Sequence, residues 1–350
     1  MVKSNRATVE CLMWHTSPLR GPILAAFVTY SHQKIFSMSV QHHKITEQDD
    51  VGQRLDNYLV KKLKGVPRGH IYKVIRGGQV RVNGGRIKAG YRLQLDDDVR
   101  IPPIRTSQPK PIVVAPEQAQ HLENSVLFED QNLLVVNKPA GMAVHGGSGV
   151  AGGVIETLRE SRQAPRLELV HRLDKGTSGC LAVAKNRQTL ASLQASFRAR
   201  EVSKVYHVLV HGTWPASVRS VQLRLKRYET AWGERKVRVD HQGQTARTDF
   251  EVLQRGAAAS YLQATLHTGR THQIRVHCAA QGCPLIGDDK YGSAATRAEM
   301  DQADHHHLGL HAHKLALPYE GQILKLTAEP PPAFKELWGR YQVQAAPSSG

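Results

Sequence analysis

The chain has 350 residues and carries 47 Lys and Arg against 30 Asp and Glu, a formal net charge of +17. Its 40% hydrophobic and 22% charged residues argue against a disordered chain, and no apolar run reaches the roughly 20 residues of a membrane-spanning helix. Four scattered cysteines (Cys11, Cys180, Cys278, Cys283) form no CxxC pair, which argues against a disulfide scaffold or a cysteine zinc site and suits a reducing compartment such as the cytoplasm. So large a cation excess repels itself in the folded state and points to a polyanionic partner, nucleic acid before others.

Residues 1–43 have one acidic residue, Glu10, a short apolar run from Pro22 to Tyr30, and no helical or strand period. An unstructured extension is expected. The run starts late and contains Pro22, unlike a secretory signal; the acid-poor stretch with Arg6 and Arg20 leaves a transit peptide as the alternative. The simpler expectation is that translation starts at Met38, which a native N-terminal peptide covering residues 1–37 would exclude.

Residues 44–103 read as a compact unit. Leu55, Leu59 and Leu63 recur at helical spacing. Gly65-Val66-Pro67 breaks the pattern, His70 to Arg76 predicts a second helix with Ile71, Val74 and Ile75 inward, and Gly77-Gly78 caps it. Short strands are predicted at Val80–Val82, Arg92–Leu95 and Val99–Ile101, with turns at Asn83-Gly84-Gly85 and Asp96-Asp97-Asp98. Residues 104–124, with Pro109, Pro111 and Pro116, read as a linker.

Residues 125–340 form a larger domain with short strands at Leu133–Val136, Leu181–Ala184, Val205–Val210, Tyr261–Leu266 and Leu310–Leu317. A helix is predicted over Thr189–Arg200. Strands and helices do not alternate regularly, so α+β is expected and not a doubly wound sheet. The last residues, 341–350, are expected to form a flexible tail.

The small unit has no acidic residue between Asn57 and Leu95, but Lys61, Lys62, Lys64, Arg68, Lys73, Arg76, Arg81, Arg86, Lys88 and Arg92. On the helices these avoid the apolar positions, which predicts a cationic phosphate-binding face. With about five of them on single-stranded or looped RNA phosphates, affinity is expected to fall roughly a hundredfold between about 50 and 200 mM salt. A filter-binding titration across that range measures it, and a flat response would exclude a phosphate-gripping face. The run from Gln53 to Leu59, the basic helix, and Gly78-Gln79-Val80-Arg81-Val82-Asn83-Gly84 resemble the small RNA-binding domain named after a small-subunit ribosomal protein.

Four segments of the large domain carry chemistry. The first, Asn137 to Gly149, is a glycine-rich stretch following a buried strand. Its glycines permit close backbone approach, but it lacks the Gly-Lys-Ser/Thr ending of a phosphate loop. The second is His171-Arg172-Leu173-Asp174-Lys175-Gly176-Thr177-Ser178-Gly179. A carboxylate flanked by Arg172 and Lys175 is favoured in its ionised form, which suits a nucleophile or base and not a general acid. In the third, Lys204 to Val210, strand alternation places Tyr206, Val208 and Val210 on one face. The fourth is His267 to His277, where Thr271 reads as the N-cap of a helix. Arg275 then lies near the positive helix end, a poor place for a cation unless a carboxylate or an anionic ligand faces it.

Together these segments resemble the bacterial large-subunit ribosomal RNA pseudouridine synthases of the RluA type. The signature is His-Arg-Leu-Asp, two variable residues, then Thr-Ser-Gly, intact at residues 171–179. The resemblance covers residues 44–340 and implies a mixed, largely antiparallel sheet in the catalytic domain, behind the small αβ RNA-binding domain. It implies that Asp174 is the catalytic carboxylate and that Arg172 fills the space of the flipped uridine. It further implies that Tyr206 stacks on the uracil and takes a proton, that Arg275 pairs with Asp174, and that Ile274 packs by the base; His171 and Thr177 belong to the same substrate-binding motif. One departure is Gly176, where the family commonly has an acidic residue. The implied reaction exchanges the N1–C1′ bond of uridine for a C5–C1′ bond and needs no cofactor and no metal. Asp174 is left with three roles: attack at C1′, attack on the ring, or removal of a sugar proton.

The implied partner is large-subunit ribosomal RNA, met by a monomer in the cytoplasm and away from membranes. A non-catalytic RNA-binding assembly factor is the competing reading, opposed by the intact Asp174, Tyr206 and Arg275. A metal hydrolase is suggested only by the nineteen histidines, including His305-His306-His307, His311 and His313.

Overall fold

A computed structural model describes residues 39–47, 50–63, 65–104, 115–146, 152–293, 296 and 307–342. Met38, Cys11, Lys64, residues 105–114, Ser148, Gly149, His305, His306 and residues 343–350 of the expected tail lie outside the described residues; the first two residues of that tail, Tyr341 and Gln342, are helical, which corrects its start.

The small domain opens with β1 (Gln41–Lys44), α1 (Leu55–Lys62) and α2 (Arg68–Arg76), followed by β2 (Arg81–Val82), β3 (Gly85–Arg86) and β4 (Asp98–Ile101). Its sheet runs β1-β4-β2-β3, antiparallel throughout. The extension expected over residues 1–43 is thus corrected at its end, since Gln41 to His43 pair with Val99 to Ile101. The strand expected over Arg92–Leu95 is corrected too: only Arg92 makes a bridge, to Arg54. Asn83 and Gly84 both take left-handed backbone (φ 50° and 77°), so the two-residue turn returns the chain at once into β3. Leu55, Leu59, Leu63, Ile71, Val74 and Ile75 of the helices meet Val82, Val99 and Ile101 of the sheet in one core. Buried Asp56 is satisfied by Arg54 (2.7 Å), the Tyr72 hydroxyl (3.0 Å) and the Asn57 N–H (2.9 Å).

The expected linker contains α3 (Pro116–Glu123), a further correction. Pro116 is at the first helical position, where a missing N–H costs nothing, and Leu122 is buried in the main core. Then come β5 (Val126–Glu129), β6 (Leu133–Lys138), α4 (Val154–Ser161), β7 (Glu168–Leu169), β8 (Ser178–Ala184) and α5 (Arg187–Ala199). The Asn186 side chain caps α5 by accepting from the Thr189 N–H at 2.9 Å. Next are β9 (Ser203–His211), β10 (Ser220–Glu229), β11 (Arg235–Val239), β12 (Gln244–Arg255), β13 (Ala259–Leu266) and α6 (Gln273–Ala280). The last elements are β14 (Leu310–Tyr319), β15 (Gln322–Thr327) and α7 (Pro332–Gln342).

The strands join in one 11-stranded sheet, β11-β10-β12-β13-β9-β14-β8-β6-β5, with β15 on β14 and β7 on β8. Every pairing is antiparallel except β14 with β8. The fold is α+β with a mixed, largely antiparallel sheet, as expected. At the parallel junction Gly179 stands at φ 111°, and a Cβ there would come within 2.3 Å of the Ala312 carbonyl oxygen. Only glycine lets β14 lie this close to the end of the Asp174 loop.

Several imidazoles are buried or half-buried in this sheet and in the elements packed against it. His207 stacks on His313 (centroids 3.9 Å apart) and meets the Tyr261 hydroxyl at 2.7 Å. His311 is bonded to the Ser178 hydroxyl and the Ala328 carbonyl, each at 2.8 Å. Both nitrogens of buried His277 lack a hydrogen-bond partner among the described residues. Burial before other causes lowers the imidazoles from 6.5, to about 3 for His207 and about 4 for His171, His277 and His311. A lowered folded value contributes stability that is complete above 6.5 and lost as pH falls toward 3–4. Each such group forfeits up to about 1.4 kcal/mol per pH unit below its unfolded value. The urea midpoint is expected to drop clearly between pH 7.5 and 5.0; an unchanged midpoint would show that these imidazoles do not oppose protonation.

Candidate active site

The Asp174 loop leaves β7 and enters β8. The Thr177 N–H donates to the Asp174 carbonyl (3.1 Å), closing a tight turn. Beneath it, the ammonium of fully buried Lys138 donates to the carbonyls of Pro139 (2.8 Å), Met142 (2.6 Å) and Lys175 (3.1 Å). One side chain thus pins the glycine-rich stretch to the Asp174 loop. Burial lowers the Lys138 ammonium to about 7, against the opposing charge of Asp174. The glycine-rich stretch is held from its other side by Glu156, which accepts from the N–H groups of Gly146 (2.8 Å) and Gly153 (2.9 Å). A Cβ on Gly153 would lie 2.6 Å from the Ala143 carbonyl oxygen, so close approach here is to another part of the chain.

Opposite lies α6, and its start differs from expectation. Thr271 is not the N-cap. His272 is, in left-handed backbone (φ 53°) and without a side-chain cap bond. Gln273 does the local fastening: its amide oxygen accepts from the Arg270 N–H (3.0 Å) and the Thr268 hydroxyl (2.7 Å), and its NH2 donates to Thr248 (2.9 Å). This leaves Arg275 pointing inward, as its charge demanded. Its guanidinium binds Asp288 through two bonds (2.6 and 2.8 Å) and Asp289 through one (2.9 Å), and stands 4.0 Å from Asp174. The pairing with Asp174 is therefore a longer contact than the one with Asp288. Burial works against the guanidinium charge, but Asp288, Asp174 and Asp289 together hold it firmly protonated.

His272 forms the other edge, with Nε2 3.9 Å from Asp174. Its Nδ1 is 2.7 Å from the Tyr291 hydroxyl, which accepts from the Val237 N–H at 2.9 Å. That hydroxyl has a proton to donate to Nδ1, and in the tautomer that accepts it the neutral ring carries its N–H on Nε2, toward Asp174. Burial lowers His272, and Arg275 and Lys290 act with it against the Asp174 charge.

These groups line an open cavity of about 520 Å³ with Arg172, Asp174, Lys175, Gly176, His272, Arg275, Asp289 and Lys290 on its walls. The Arg172 side chain is exposed and makes no ion pair or hydrogen bond among the described residues. Tyr206 is in the wall behind, 8% exposed, in one core cluster with Val208, Val210 and Ile274. Burial first, then the charges of Asp174 and Cys180, push its phenol well above the ordinary value. Tyr206, His171, Thr177 and Ile274 do not reach the cavity lining. The His171 Nε2 accepts the Ala182 N–H (3.1 Å) and its ring stacks on Phe197; Thr177 and Ile274 are buried. At Gly176 a Cβ would sit 3.1 Å from the Leu308 Cβ, so a larger residue would press on that cavity-lining side chain.

Sequence reasoning missed Asp288, Asp289, Tyr291, His272 and the fastening role of Lys138. A lysine ending an apolar strand was a usable signal for the last. In the small domain Lys61, Lys62, Arg68, Lys73, Arg76, Arg81, Arg86 and Lys88 are all exposed. Arg81 and Arg86 are directly opposite each other across β2 and β3, a like-charged pair that costs stability unless an anion lies nearby. Of the histidines that suggested a metal, His311 and His313 both address the Ala328 carbonyl at 2.8 Å.

The two parts of the chain separate gripping RNA from changing it. Residues 53–99 match the S4 domain and residues 132–280 match RNA pseudouridylate synthase, so the class is an isomerase acting on RNA uridine. The chain is 45% identical over 317 residues to "Ribosomal large subunit pseudouridine synthase C" of Pasteurella multocida, covering 89% of this chain and 97% of that protein. To the protein of that name from Escherichia coli (strain K12) it is 45% identical over 287 residues, 80% and 90% of the two chains. It belongs to this family of pseudouridine synthases. Among solved structures, human RNA pseudouridylate synthase domain containing 4 is similar at a TM-score of 0.52 and 28% identity, over 64% of this chain and 95% of that one.

Proposed function

We propose that this protein converts specific uridines of large-subunit ribosomal RNA to pseudouridine, as a monomer in the cytoplasm and without a cofactor. The observation that carries this reading is the Asp174 carboxylate, half-buried at the floor of an open cavity between Arg275 and His272. Both contacts are long enough to leave its oxygens to a substrate. The names and extent of the relatives support the choice of RNA.

A uridine must leave its stack to reach this floor, at a cost of a few kcal/mol that is least in loops. Exposed, unpaired Arg172 enters the space it leaves. Asp174 then attacks C1′ or the ring, or removes a sugar proton; the N1–C1′ bond breaks, the uracil turns, and C5 bonds to C1′. The proton displaced from C5 is matched by one gained at N1, so the change is an isomerisation. Tyr206 stacks on the ring as a neutral phenol and takes the C5 proton only by passing its own onward. His171, Thr177 and Ile274 act from behind the wall, holding the loop and Tyr206 in place. The cationic surface of the small domain grips the RNA at a distance from the reacting base.

Mapping pseudouridines in large-subunit RNA made with and without this protein tests the reading. Sites that appear only with the protein are expected; identical maps would overturn it.

A further inference from the structure

The Asp174 loop is firmly held where it begins and lightly held where it ends. At its start the β7–β8 ladder and the bond from the Ala182 N–H to His171 fix the chain just before Asp174. At its end the β6–β8 ladder stops with Lys138 opposite Gly179, one residue short of Ser178. There β8 is flanked by β14, and that pairing consists of two residue pairs, Ser178 with His311 and Gly179 with Ala312. It is parallel, the less stable kind per residue.

A side-chain bond reinforces this junction. The Ser178 hydroxyl and the His311 Nδ1 are 2.8 Å apart, and both residues are buried, at 3% and 0% exposed. The direction of the bond follows from the other ring nitrogen. His311 Nε2 stands 2.8 Å from the Ala328 carbonyl, which can only accept. Burial, opposed by that carbonyl, lowers the ring to about 4, so at neutral pH it has a single N–H and gives it to Ala328. Nδ1 is therefore an acceptor, and the Ser178 hydroxyl points its proton at it. The ring is fixed on its other sides as well. Ala328 also bonds His313 Nδ1 (2.8 Å) and donates its N–H to the His313 carbonyl (2.8 Å), and the Phe334 ring lies 6.0 Å from that of His311.

The consequence falls on Asp174. Its contacts with Arg275 (4.0 Å) and His272 (3.9 Å) are too long to seat the carboxylate, so its place in the cavity is set by the loop that carries it. A shift of about 1 Å in a reacting group can cost roughly a hundredfold in rate.

We propose that His311 is a positioning residue for the reaction: through the Ser178 hydroxyl it clamps the end of the Asp174 loop and so sets where the carboxylate stands. This rests on the reading of Asp174 as the catalytic carboxylate. The test uses the full chain and an RNA fragment containing a mapped site, with Ser178→Ala, His311→Gln and His311→Asn. A Gln amide reaches as far as Nε2 and can keep the Ala328 bond, but offers nothing at the Nδ1 position. An Asn amide oxygen falls near the Nδ1 position and can keep the Ser178 bond, but leaves Ala328 without that donor. Each His311 variant thus drops one of the ring's two bonds, and a merely structural role would make them equally slow. Ser178→Ala and His311→Gln are expected to lower the single-turnover rate by roughly ten- to a hundredfold, with KM and RNA affinity little changed. His311→Asn is expected to recover most of the rate at a melting temperature no higher than that of His311→Gln. Ser178→Ala combined with His311→Gln is expected to be no slower than the slower single variant, because both remove the same bond. A native rate in Ser178→Ala, or Gln and Asn variants that are equally slow, would overturn the proposal. Ser178→Ala removes a single oxygen atom, so it decides the matter if the His311 variants fail to fold. Asp174→Asn measured beside them keeps the two questions apart. An active Asp174→Asn removes the catalytic reading, and the clamp with it; an inactive one beside a native-rate Ser178→Ala removes the clamp alone.

Discussion

Replacing Asp174 by Asn is expected to reduce pseudouridine formation by at least about a thousandfold, the scale on which loss of a principal catalytic group is felt. The exchange keeps size and shape and removes the charge and the basicity. Structural collateral should be small for a specific reason. Arg275 is nearly buried, but its charge is met by Asp288 at 2.6 Å and Asp289 at 2.9 Å, whereas Asp174 stands 4.0 Å away. An amide at 174 therefore leaves no cation stranded, and the melting temperature should move little. RNA affinity should also stay within about twofold, because a carboxylate contributes nothing to phosphate pairing and the exposed cations are elsewhere. Primer-extension mapping and filter binding on one RNA preparation measure the two quantities. Turnover within tenfold of the native chain would remove Asp174 from the chemistry.

What was legible in the sequence follows from how each element is buried. β6, β8, β9, β13 and β14 are sheet-interior strands with runs of apolar residues, so composition alone marks them. β12 alternates small or apolar buried residues (Ala246, Thr248, Phe250) with exposed polar ones, β10 alternates Val221, Leu223 and Leu225 with polar and cationic residues, and three of the five residues of β11 are cations. With so few large apolar residues in a row, their strand character rests on alternation and on the ladder. α3 was hidden because Pro116 reads as a linker proline when its helical neighbours bury only Leu122. The catalytic loop was visible because its chemistry is contiguous in residues 171–179. Asp288 and Tyr291 were not, since Gly287-Asp288-Asp289-Lys290 reads as an ordinary polar turn until the fold brings it against α6. The expectation that Arg275 needs an anionic partner was sound electrostatics, while the choice among carboxylates required coordinates.

That choice has the largest consequence for stability. The Asp288 side chain is fully buried and the Arg275 side chain is 6% exposed. Burial alone would push the Asp288 carboxyl up, but the Arg275 guanidinium and the N–H groups of Tyr291 and Lys290 hold it below the ordinary carboxylate value. Breaking a buried pair from one side leaves the other charge without compensation, which costs about 3–5 kcal/mol. Asp288→Asn is therefore expected to lower the melting temperature by roughly 6–20 °C for a domain of this size. Asp289→Asn removes a charge from the same guanidinium, but at a side chain that is 74% exposed, so its cost should stay below about 1 kcal/mol. The pair of variants separates a buried anchor from a surface contact at equal nominal charge. A second consequence is catalytic. Released from Asp288, Arg275 can swing the remaining distance onto Asp174 and occupy the oxygens a substrate needs. Well below its melting temperature, Asp288→Asn should lose kcat by about ten- to a hundredfold, in the range seen when a supporting residue behind a site is removed, with KM nearly unchanged. A variant as stable as Asp289→Asn, or one that loses RNA affinity and keeps kcat, would show that Asp288 does not set where Arg275 stands.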